Sequence, residues 1–78
     1  MYTYFVALNY EKEPDGKYFR LSPDANGIKV EACLGYQAGG WQPFSPQTFE
    51  LFREAGLLEV TLEQINADRA SNNLPPPV

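Results

Sequence analysis

The chain contains no histidine and a single cysteine, Cys33. Imidazole is the side chain whose unperturbed pKa lies nearest neutrality, and it is the commonest metal ligand. Its absence removes most zinc sites and most base-activated nucleophiles, and a lone thiol closes no intrachain disulfide. Cations are scarce too: six Lys and Arg stand against ten Asp and Glu, a formal charge of −4, and no Lys follows Lys29. That balance favours basic partners and opposes association with phosphate backbones or anionic lipid. No apolar run approaches the roughly 20 residues needed to span a bilayer. Residues 1–10 lack a basic n-region, a long apolar stretch and a small-residue cleavage site, so no signal peptide is expected. With one cysteine, the expected compartment is the cytoplasm.

What the chain does hold is aromatic area. Five Tyr, five Phe and one Trp lie among 78 residues of which 44 % are hydrophobic, and each large ring buries roughly 150–250 Å². A domain this small buries only about 60 % of the surface its unfolded chain exposes, so one aromatic-rich core must carry it. The expectation is a single compact α+β domain over residues 1–70 followed by a flexible Pro-rich tail over residues 71–78.

Residues 2–10, YTYFVALNY, read as a strand, with Tyr2, Tyr4, Val6, Leu8 and Tyr10 forming the better core face. Pro14-Asp15-Gly16 supplies turn chemistry before a short strand over residues 17–21. Asn26-Gly27 suits the centre of a second turn, where both residues need positive φ. Residues 28–34 alternate cleanly, with Ile28, Val30, Ala32 and Leu34 on the core face and Cys33 opposite it. After a Gly-rich stretch, Ser45-Pro46 marks a helix start running to about Ala55, with Phe49 and Phe52, and Leu51 nearby, packing inward and Gly56 as its stop. Residues 57–60 form an apolar link and candidate strand. Thr61 and Gln64 have capping-box spacing for a second helix to about Ala70. The order β-β-β-α-(β)-α predicts a three-stranded antiparallel meander with both C-terminal helices on one sheet face. Val6, Leu8, Phe19, Val30, Leu34, Phe49, Phe52 and Ile65 are the expected core.

Candidate chemistry is thin. Glu11, Glu13, Asp15 and Gly16 imitate the first half of a calcium-binding EF-hand loop, but Ser22 occupies the position that needs a bidentate Glu. Gly35, Gly39 and Gly40 match neither phosphate-loop spacing. Tyr2, Tyr4, Phe5, Tyr10, Tyr18 and Phe19 could stack bases, yet the carboxylates around them oppose nucleic acid. Cys33 has no neighbouring base in the sequence and reads as a small packed thiol. No cofactor, metal or enzymatic activity is expected.

Two features point instead to protein recognition. Tyr36, Trp41 and Phe44 in the Gly-rich loop are anchor-type side chains, although Trp41 and Phe44 would serve equally as a cap on the small core. Glu50, Glu54, Glu59, Glu63 and Asp68 recur through the helical half, opposed by Arg53 and Arg69, and suit either a solvated helix face or a surface complementary to a basic groove. The expected function is a small acidic protein-binding module, an inhibitor or adaptor occupying a basic surface of a protein partner. Phages and mobile elements encode anti-defence inhibitors of this kind, anti-CRISPR proteins among them, and the parallel is one of size and charge alone. A homo-oligomeric structural or accessory subunit, with the aromatic surface as its self-interface, is the alternative. A nucleic-acid-binding domain ranks below both.

Overall fold

The structure, a computed structural model, describes residues 1–34 and 40–77. It is α+β: a five-stranded antiparallel sheet and two helices. The strands are β1 (Thr3–Leu8), β2 (Pro14–Asp24), β3 (Gly27–Leu34), β4 (Gln42–Pro43) and β5 (Leu57–Val60), with α1 (Pro46–Ala55) before β5 and α2 (Leu62–Ser71) after it. Their order across the sheet is β4-β3-β2-β1-β5. The meander β1-β2-β3 is thus its centre, and the link over residues 57–60 is a strand against β1, with Val6 opposite Leu58 and Tyr4 opposite Val60.

The turns differ from expectation. The first reversal belongs to Asn9: its N–H donates to the Glu13 carbonyl at 2.8 Å, its carbonyl accepts from Lys12 N at 2.9 Å, and its side-chain oxygen accepts from Glu11 N and Glu13 N. Lys12 takes the left-handed position at φ 63° that ends a three-residue hairpin loop. Pro14-Asp15-Gly16 lies inside β2 instead. There the pairing slips between Val6↔Tyr18 and Leu8↔Pro14, and Gly16 at φ 83° carries the resulting bulge. In the second hairpin Ala25 and Asn26 make the turn while Gly27, φ 122°, pairs with Asp24. The helix boundaries follow the caps. Ser45 accepts from Thr48 N, Gly56 ends α1 through its N–H to Phe52 O, and Thr61 and Gln64 close a complete capping box.

The helices lie on opposite faces of the sheet, not on one. Successive strand residues join different cores: Val6, Tyr18 and Cys33 pack with Trp41 and with Ile65 of α2, whereas Ala7, Phe19 and Ala32 pack with Phe49 of α1. Neighbours along a strand point to opposite faces, so the sheet is the middle of three layers. This corrects the expected single core face and places Cys33 in the α2-side core with Val6, Tyr18, Trp41 and Ile65. Leu8 and Leu34, expected inside, are half-buried. After α2 the chain doubles back, with Leu74 N donating to Arg69 O at 2.8 Å and Arg69 Nε to the Pro75 carbonyl at 2.7 Å.

Candidate functional site

Helix α1 is amphipathic, and its orientation decides what it shows to solvent. Phe49 is 2 % exposed, with its ring 5.3 Å from that of Phe19 and 6.3 Å from that of Phe5. Phe52 is half-buried, 5.1 Å from Phe19. Anchoring these two positions turns Glu50, Leu51 and Glu54 outward. Leu51, an apolar side chain 64 % exposed, thereby sits on the outer surface with Glu50 and Glu54 together on one side of it. Arg53 pairs with Glu50 at 3.6 Å and lies over the Phe49 ring at 5.3 Å; an exposed pair of this kind contributes little to stability.

The other acidic residues divide between the faces. Glu59 is exposed and stands opposite Phe5 in the β1–β5 pairing, so it points to the α1 side. Glu63 is in the first turn of α2, on the far side of the sheet. Asp68 is also on α2 and accepts the hydroxyl of Tyr18. The acidic residues therefore form two surfaces, of which Glu50, Glu54 and Glu59 share one.

The loop residues part company as well. Tyr36 lies outside the described residues. Phe44 is half-buried, edge-on to Phe19 at 5.3 Å. Trp41 is only 8 % exposed and belongs to the α2-side core. Its ring lies 5.9 Å from Tyr4, and the Arg20 guanidinium lies over it at 4.9 Å and over Tyr2 at 4.2 Å. Trp41 and Phe44 thus cap the core, and neither ring stands out as an anchor. Arg20 Nε also donates to Glu31 Oε1 at 2.8 Å. That hydrogen bond holds the Glu31 carboxyl below the usual carboxylate range, against the opposing effect of its burial, with Lys29 adding attraction.

Cys33 is buried, and burial pushes its thiol pKa up, an effect only partly offset by the charge of Arg69. Such a thiol is a poor nucleophile at neutral pH. Among the described residues no group of three or more His, Cys, Asp and Glu is gathered to hold a metal. Asp15 of the EF-hand-like stretch pairs with Lys17 at 3.1 Å. The candidate stacking rings are spread over both sheet faces, Phe5 and Phe19 beneath α1 and Tyr18 beside Ile65 of α2. No described helix is long and apolar enough to cross a membrane.

Leu51, expected to pack inward near Phe49 and Phe52, is exposed instead, and on β5 Leu58 is 48 % exposed. Helical spacing from Phe49 and Phe52 would have turned Leu51 outward. Leu58 required the knowledge that β5 is the last strand of the sheet. No protein-family model, curated protein or solved structure matches the chain.

Proposed function

We propose that the protein is a small acidic protein-binding module, an inhibitor or adaptor that occupies a basic surface of a protein partner. The observation that carries this reading is the outer face of α1, where exposed Leu51 lies beside the exposed pair Glu50 and Glu54, one turn apart on the same side of it. An apolar contact with charge beside it suits an interface in which the charge sets encounter rate and selectivity while the apolar contact supplies residence. The net charge of −4 supplies long-range attraction of the same sign. Anti-defence inhibition by a phage or mobile-element product is one biological setting for such a module.

The test is capture of the partner from the source cells, followed by surface plasmon resonance with purified components. Replacing Glu50 and Glu54 together by Lys should slow association by about tenfold and flatten its salt dependence. Leu51→Ala should chiefly speed dissociation. Unchanged kinetics in both variants, with native circular dichroism, would move the interface off α1.

A further inference from the structure

The two edges of the sheet are treated differently. At one edge β4 is only two residues long and contains Pro43, and where it stops β3 presents Lys29. Short strands, Pro and Lys are the usual means of blunting an edge. At the other edge β5, Leu57-Leu58-Glu59-Val60, has no Pro and no cation, and among the described residues no strand lies beyond it.

Hydrogen-bond parity shows which groups this edge offers. Leu8 N donates to the Gly56 carbonyl at 3.1 Å, so that carbonyl and the N–H and C=O groups of Leu58 and Val60 turn toward β1. Those of Leu57 and Glu59 then turn outward. Side chains alternate about the same strand: Glu59 points to the α1 side and Leu58 to the α2 side. Beside Leu58 on the α2 side is a cleft of about 230 Å³ whose apolar lining includes Val6, Val60 and Ile65, with Gln64 and Asp68 as its polar part, Asp68 engaged by the Tyr18 hydroxyl.

We propose that the outer edge of β5 receives an extended segment of the protein partner, carrying Lys or Arg opposite Glu59 and an apolar side chain beside Leu58. The inference rests on the binding-module reading above and names the partner's chemistry. An added strand satisfies the outward peptide groups of Leu57 and Glu59, while alternate side chains give selectivity. On the α1 side the incoming residue meets a carboxylate, and opposite charges across a strand pair attract. On the α2 side the incoming residue meets Leu58 and the cleft, which favour an aliphatic group. A second copy of this chain fits less well, because it adds its own Glu59 and a further net charge of −4 to the seam.

The experiment titrates isotope-labelled protein with capped octapeptides alternating valine with lysine, or valine with glutamate, and follows each amide by NMR. With the lysine peptide, the Leu57 and Glu59 amides should shift and gain protection from exchange. The glutamate peptide should bind about fivefold more weakly, the effect of exchanging an attractive cross-strand pair for a repulsive one. Glu59→Lys, an exposed substitution, should reverse that preference, and N-methylation of alternate peptide residues should abolish binding. Absence of shifts on β5 at millimolar peptide overturns the proposal. Shifts confined to Glu50, Leu51 and Glu54 overturn strand addition while leaving the acidic-module reading standing. Doubling of mass without peptide, with β5 amides protected, assigns the edge to a second copy and also overturns the proposal.

Discussion

Removing the Phe49 ring tests the α1 packing most directly, because Leu51, two residues along the same helix, serves as an internal control. Phe49 is 2 % exposed and contacts the rings of Phe5 and Phe19, whereas Leu51 is 64 % exposed. Truncating a buried Phe to Ala costs about 3–5 kcal/mol through lost transfer energy and the cavity left behind. The edge-to-face contact with Phe19 places this site in the upper half of that range. A domain of 78 residues has about 4–12 kcal/mol in total, so Phe49→Ala should leave the protein marginal or unfolded. Phe49→Leu retains most of the volume and should cost about 1–2 kcal/mol. Leu51→Ala should stay within about 0.5 kcal/mol of wild type. Urea unfolding followed by the fluorescence of Trp41, the only tryptophan and a buried one, reads all three. A loss in Leu51→Ala equal to that in Phe49→Leu would mean that α1 is rotated about its axis, and the outer-face argument would fall with it.

Acid should separate wild type from Glu31→Gln. Folding lowers the Glu31 pKa through Arg20, so this contribution is fully present above the unfolded carboxylate value, about 4.3, and is lost as pH falls through the folded one. Calorimetric Tm should therefore fall more steeply below about pH 4 in wild type than in the variant, and parallel curves would remove Glu31 from the acid response. Cys33, buried and with its thiol pKa raised, should react with a thiol reagent roughly a hundredfold or more slowly in the native state than in the unfolded chain. Immediate labelling at neutral pH would refute its placement.

The elements with local chemistry were legible in the sequence. Ser45-Pro46, Gly56 and the Thr61–Gln64 box mark helix ends because capping is decided within four residues. The turns were harder, since Pro14-Asp15-Gly16 is as well suited to a bulge as to a reversal, and Asn9 competes for the hairpin with its own side chain. The second core face was hidden by the choice of one alternation in β1. The adjacent apolar pairs Val6-Ala7, Tyr18-Phe19 and Ala32-Cys33 signal burial on both faces. Of the candidate site, the exposure of Glu50 and Glu54 follows from helical spacing. The burial of Trp41 does not, because it depends on Arg20 and Tyr4 from distant strands.

The inequality of the two sheet edges also bears on how large an assembly this chain can build. Head-to-tail growth into a fibre needs two adhesive edges on each unit, one to give and one to receive. Here the β4 side ends in Pro43 and Lys29, so among the described residues a strand accepted along β5 would leave no second adhesive edge behind it. If β5 accepts a strand as proposed, addition should stop after one step, giving a complex of fixed composition at any protein concentration.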